Sequence, residues 1–115
     1  MTRSVDIRER QIGELTVVEL TGRLTVSDQP GLLKEAVAAA IARGARHVVL
    51  ELSGVRYIDS TRLGELIAAH VTASRQGGSL KLIATPPRIL ELLTMAGLDG
   101  VFQHYDTAED AARSV

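Results

Sequence analysis

Cysteine is absent from this sequence, which removes disulfide frameworks and thiolate metal sites and leaves packing alone to hold the fold. A reducing compartment suits such a chain, and the expected location is cytoplasmic. Aromatic residues are nearly absent too: Tyr57, Phe102 and Tyr105 make up the 3% present, too few for a platform that stacks bases or sugars. No charge of one sign dominates, since 13 basic residues stand against 14 acidic ones for a net charge of -1. With no basic block to follow a phosphate backbone, direct nucleic-acid binding is not expected. No stretch approaches the roughly 18 uninterrupted apolar residues of a membrane span. The opening residues Met1-Thr2-Arg3-Ser4-Val5-Asp6 lack the apolar run of a signal peptide. The expectation is a soluble, unexported protein without membrane insertion.

What is present is enough for one core. The 115 residues, 45% of them hydrophobic, fit a single domain spanning 1–115 with no internal repeats or linkers. Two runs, 5–10 and 15–21, read as strands joined by a turn at Gln11-Ile12-Gly13. Ser27-Asp28-Gln29-Pro30 resembles a helix start, and Leu32, Leu33, Ala36, Val37, Ala40 and Ile41 recur at helical spacing until Gly44. His47 to Leu52 is short and apolar on both faces, as in a central parallel strand, and Ser53 to Ile58 reads as a loop. A second helix over 59–76 carries Leu63, Leu66, Ile67, His70 and Val71 on one side. Further elements are a strand over 79–83, a helix opened by Pro86-Pro87 with Ile89, Leu92, Leu93 and Ala96 as its stripe, and a strand over 101–105. A short last helix is opened by the Thr107-Ala108-Glu109-Asp110 capping box. Strands alternating with about four helices predict an α/β fold, with a mainly parallel sheet and an antiparallel edge strand at the N-terminus.

In such sheets functional groups gather beyond the carboxyl ends of the parallel strands. That edge holds Leu24-Thr25, Asp59-Ser60-Thr61, Thr85 and Asp106-Thr107. Position alone favours the plain reading of Asp59 or Ser60 as a helix N-cap. Catalysis finds no apparatus. The three histidines, His47, His70 and His104, show no metal-ligand spacing. Ser60 has no neighbouring base and no G-x-S-x-G elbow. Gly77-Gly78 follows a helix rather than a strand, so it is a turn and not a phosphate cradle. Neither an enzyme nor a metal or organic cofactor is expected.

The run Leu52-Ser53-Gly54-Val55-Arg56-Tyr57-Ile58-Asp59-Ser60-Thr61-Arg62-Leu63-Gly64 resembles the signature of STAS domains in bacterial anti-sigma factor antagonists, whose pattern is close to D-L-S-G-V-x-x-I-D-S-[ST]-G-L-G. The likeness continues through Gly77-Gly78-Ser79-Leu80-Lys81-Leu82 and through Gly97-Leu98 to Val101-Phe102, so it covers nearly the whole chain. The resemblance implies a protein that binds an anti-sigma factor of the serine/threonine kinase type. It lets go once phosphorylated on the second hydroxyl of the motif, here Thr61, with Ser60 as the alternative. A phosphate adds about -1.5 to -2 charges, which a helix N-terminus tolerates. By the same resemblance the partner surface comprises Asp59, Ser60, Arg62, Leu63, Gly64, Arg23 and Thr25. Asp59 would cap the helix, Ser60 would hydrogen-bond locally, and Leu63 and Gly64 would pack the first turn closely. Weak homodimerisation is a further mode of association.

Two positions depart from the pattern. Arg62 replaces a glycine beside the acceptor, and with Leu63 turned to the core it is expected to project into solvent. Its replacement by glycine is then expected to change stability little. Gly22-Arg23-Leu24 is followed by Thr25 where the family often has an acid. The rival reading is a STAS scaffold subunit that is never phosphorylated, working in a stressosome-like or lipid-transport assembly. A small-molecule or nucleotide module has only the strand-end edge in its favour.

Overall fold

The computed structural model describes residues 5–24 and 31–115. It opens with the expected hairpin, longer than the pattern suggested. β1 (Val5–Ile12) pairs antiparallel with β2 (Leu15–Leu24), from Val5 opposite Gly22 to Ile12 opposite Leu15. The turn is therefore Gly13-Glu14, with Gly13 at φ 56°. That left-handed conformation suits a two-residue hairpin and costs glycine nothing. Ile12 belongs to the strand because it packs against buried Leu15 and Val17.

After α1 (Leu32–Ala42), β3 (His47–Ile58) lies parallel to β2, and it corrects one expectation: Ser53 to Ile58 is strand, not loop. The reason is local. The β2–β3 register shifts twice, between Glu19 and Thr21 and between Gly22 and Arg23. Such irregularities disturb the two-residue alternation, so buried Leu52, Val55 and Ile58 come every third residue. Gly54 sits in the disturbed stretch, where an added Cβ would lie 2.9 Å from Thr21 Oγ1.

α2 (Ser60–Arg75) leads to β4 (Ser79–Ile83), α3 (Pro87–Met95), β5 (Gln103–Tyr105) and α4 (Ala108–Ala112). The sheet order is β1-β2-β3-β4-β5, parallel from β2 onward. The return from α2 into β4 is very tight. A Cβ on Gly78 would lie 1.8 Å from the Arg46 carbonyl oxygen, so only glycine passes. β5 is shorter than expected, with Val101 exposed and Phe102 turned into the core.

Two cores flank the sheet. One joins Leu33 and Val37 of α1, Leu66 and Ala69 of α2, and Ile89 and Leu93 of α3 to Val48, Leu50, Leu80 and Leu82. The smaller one sets Ala108 and Ala111 of α4 on Leu15, Val17, Val49 and Ile83. Full burial of a side chain of leucine or valine size is worth about 1.5–3 kcal/mol, which makes these clusters the main source of stability. Thr107 Oγ1 accepts the Asp110 N–H at 3.1 Å, the N-cap half of the capping box expected from the sequence, while Asp110 Oδ1 takes Arg113 Nη2 at 2.7 Å. Ser27 to Pro30, read as the cap of the first helix, lies outside the described residues. The N-cap of α1 is Gly31, which has no side chain to offer.

Candidate docking site at the start of α2

β2 and β3 end side by side, Arg23 opposite Tyr57 and Leu24 opposite Ile58. The chain leaves β3 directly into Asp59. That residue is extended (φ -92°, ψ 173°), and its Oδ1 accepts the backbone N–H of Arg62 at 2.8 Å. Asp59 is thus the N-cap of α2, satisfying one of the helix's orphan donors. Ser60 and Thr61 follow in the first turn with their side chains in solvent. Arg23 is also exposed, with its guanidinium carbon 5.2 Å from the centre of the Tyr57 ring. Thr25 lies outside the described residues.

Two residues that follow Thr61, Arg62 and Gly64, behave differently from expectation. Arg62 does not project into solvent; it is 1% exposed and among the largest fully buried side chains described. Its Nη1 lies 2.9 Å from Glu65 Oε2 in a largely buried ion pair. Leucine, alanine and arginine share this inner stripe: Arg62, Leu66, Ala69 and Ala73 succeed one another at intervals of four, three and four, the spacing of one helical face. The guanidinium can sit there because Glu65 neutralises it. Gly64 does not pack against a neighbour either. Its position is exposed, and a Cβ built on it meets nothing within 4 Å. Leu63 is half-buried against the core.

The outer side of α2 carries the rest of the expected apolar stripe. Ile67 and Val71, 37% and 39% exposed, face solvent rather than the core. They continue the line that starts at Ser60 and runs through Gly64, so one helix face presents an accessible hydroxyl, a bare backbone and then two aliphatic side chains.

A protein-family model described as "Mlab, STAS domain" matches residues 7–103. The chain is 30% identical over 101 residues to the anti-sigma-B factor antagonist of Bacillus subtilis (strain 168), covering 88% of this chain and 89% of that one. The chain belongs to the STAS-domain, anti-sigma factor antagonist family. A second relative, the anti-sigma F factor antagonist of Paenibacillus polymyxa, is 26% identical over 95 residues, 83% of this chain and 81% of that one. The crystal structure of an anti-sigma factor antagonist from Mycobacterium paratuberculosis superposes with a TM-score of 0.84 at 25% identity, over 97% of this chain and 94% of that one.

Elsewhere on the carboxyl edge of this STAS domain, a cleft of about 310 Å³ is lined by Thr85, Leu90, His104, Tyr105, Asp106 and Asp110. Thr85 Oγ1 and both ring nitrogens of His104 are buried without a hydrogen-bond partner among the described residues. A larger cleft of about 550 Å³ opens at the opposite edge, beside Glu9, Arg43, Arg46 and His47. Its charges are largely paired already, Arg43 with Glu9 and Arg46 with the Gly77 carbonyl. His47 Nδ1 shares a hydrogen bond with Ser79 Oγ at 2.9 Å, and His70 meets Phe102 edge to face. Among the described residues, no group of three or more His, Asp or Glu side chains could hold a metal ion, and no helix is long and apolar enough to cross a membrane.

Sequence reasoning missed Glu65. Its Oε1 accepts the backbone N–H groups of Leu33 at 3.1 Å and Lys34 at 3.4 Å, so a residue of α2 caps α1, whose own cap is glycine. The Arg-x-x-Glu spacing of Arg62 and Glu65 was the available signal for the ion pair. The contact with α1 joins residues more than thirty apart and has no signature in the sequence.

Proposed function

We propose that this protein is an anti-sigma factor antagonist that docks an anti-sigma factor of the serine/threonine kinase type on the outer face of α2, with Thr61 as the phosphate acceptor. The observation that carries the reading is the make-up of that face. Exposed Ser60 and Thr61 stand at the start of the helix, and Gly64, Ile67 and Val71 follow on the solvent side. Glycine inside a helix costs about 1 kcal/mol relative to alanine. Nothing among the described residues needs the space it leaves, so Gly64 suits the close approach of a second protein. Exposed Ile67 and Val71 supply apolar area for the same contact. The relatives named above are antagonists of anti-sigma factors.

The switch follows from position. The kinase transfers the γ-phosphoryl group of ATP to Thr61 Oγ1; ADP leaves and the hydroxyl proton passes to a base on the kinase. The new dianion stands at a helix N-terminus, where free N–H groups and the helix dipole accommodate it. The domain stays folded while its contact face gains charge beside an apolar ridge, and the partner is released. Ser60 is the alternative acceptor. Arg23 belongs to the rim of this surface, at the neighbouring strand end, whereas Arg62 supports the surface from beneath. A second reading, the unphosphorylated scaffold subunit, is favoured by one feature: the ridge of Gly64, Ile67 and Val71 is complete without a phosphate.

Mass spectrometry of the intact protein, recovered with its bound partner, reads both partner and phosphate. With the partner in hand, calorimetry is expected to give unchanged affinity for Thr61→Ala and at least tenfold weaker binding for Thr61→Glu, a loss of about 1.4 kcal/mol or more. Equal affinities would discard the switch and leave the scaffold.

A further inference from the structure

The first turns of α1 and α2 share one carboxylate. Glu65 Oε1 takes the N–H groups of Leu33 and Lys34, at 3.1 and 3.4 Å, in the opening turn of α1. Gly31, the N-cap there, makes no side-chain hydrogen bond, so Glu65 does the work that a serine or aspartate cap does in other helices. The other oxygen, Oε2, holds Arg62 Nη1 at 2.9 Å. The side chains of this pair are only 1% and 11% exposed, so solvent screens them weakly.

Thr61 lies four residues before Glu65 on the same helix, which makes the two neighbours on its surface, with about 5–6 Å between their Cβ atoms. Any charge placed on Thr61 is therefore felt first by Glu65 and Arg62. A dianion there repels the Glu65 carboxylate and attracts the Arg62 guanidinium, and both effects weaken the grip of Glu65 on α1.

We propose that Glu65 is a positioning residue that carries the charge state of Thr61 to the start of α1. While Thr61 is neutral, Glu65 caps α1 and fixes the two helix starts against each other. With negative charge on Thr61, the cap weakens and the first turn of α1 opens more often. One modification thereby alters two adjoining parts of the domain: the docking ridge of α2 by its own charge, and the start of α1 through Glu65. The biological use of this coupling rests on Thr61 being the acceptor, but the coupling itself is a property of the chain alone.

The test needs neither kinase nor partner. Amide hydrogen exchange is followed by NMR on the whole chain, and the rates at Leu33 and Lys34 are expressed relative to Leu50 in the central strand. Thr61→Glu is expected to raise these relative rates about tenfold, while Thr61→Gln, of the same shape without the charge, leaves them near wild type. Glu65→Gln keeps an amide oxygen for the two N–H groups and removes the repelling charge. In the Glu65→Gln background, Thr61→Glu should therefore add less than about twofold. Equal relative rates in Thr61→Glu and Thr61→Gln overturn the proposal, as does slower exchange in Thr61→Glu, which would mean that the added anion itself caps α1. The undiminished tenfold effect in the Glu65→Gln background overturns it too, because the charge would then reach α1 by another route. A partner that binds Thr61→Glu as tightly as wild type contradicts the proposed function but leaves the exchange result intact, so the two readings fail separately.

Discussion

The two sides of α2 obey different constraints although they are built from the same sixteen residues. The inner side, Arg62, Leu66, Ala69 and Ala73, is accounted for within the fold: the aliphatic groups fill the larger core, and the one cation pairs with Glu65. The outer side is not. Among the described residues, nothing lies within 4 Å of a Cβ built on Gly64, while Ile67 and Val71 expose aliphatic surface. A useful reference is Gly78, where the Arg46 carbonyl oxygen explains the glycine completely. Where the reason for a residue can be found inside the chain, its replacement should be felt in stability. Where it cannot, replacement should be felt in binding.

The largest effect expected on stability is at Arg62. Removing one partner of a buried ion pair costs on the order of 3 kcal/mol or more, because the remaining charge is left in a poor medium. Arg62→Gly adds the helix cost of glycine, about 1 kcal/mol. Urea denaturation should show a loss of this order. A loss below about 1 kcal/mol would show that the inner side tolerates an unpaired Glu65 and would blur the contrast between the two faces. Asp59→Ala comes next, at about 0.5–2 kcal/mol for the lost N-cap, measured in the same way. Unchanged stability with abolished partner binding would move Asp59 from the supporting structure to the contact surface.

Arg62 also shows how far the sequence could be read. The α/β order, the parallel sheet with its antiparallel edge and the two side-chain caps at Asp59 and Thr107 follow from local signals: periodicity, turn glycines and capping residues. Those signals act within a few residues and survive into the fold. The extent of β3 was hidden because its alternation is interrupted where it pairs irregularly with β2. The orientation of α2 was hidden because two stripes compete. Ile67 and Val71 look more apolar than Arg62, Ala69 and Ala73, yet the latter set is buried together with Leu66 while Ile67 and Val71 are exposed. Small residues on that side let α2 lie close to β3 and β4, and Glu65 one turn away supplies the buried arginine with a counter-charge. Hydrophobicity by itself ranks the two stripes in the wrong order. The position of Thr61 on the exposed edge, by contrast, follows directly from the cap at Asp59.

The smallest stability change and the sharpest division of roles are expected at Gly64. In a helix interior, alanine is favoured over glycine by about 0.8–1 kcal/mol, since glycine loses more backbone freedom on folding. Gly64 has no positive φ that would require glycine, and the added methyl group meets nothing within 4 Å. Gly64→Ala should therefore raise the midpoint of urea unfolding, with a gain close to the intrinsic difference. A partner that lies against the bare backbone at this point would meet that methyl group on every approach. Its affinity should fall while the isolated domain becomes more stable, a combination that loss of folding cannot produce. The larger Gly64→Leu should weaken binding further, because the clash grows with side-chain volume while the helix still accepts the residue. If calorimetry shows both variants binding as tightly as the wild type, the partner does not touch the outer face of α2 at Gly64, and the division between a structural inner side and a docking outer side loses its central residue.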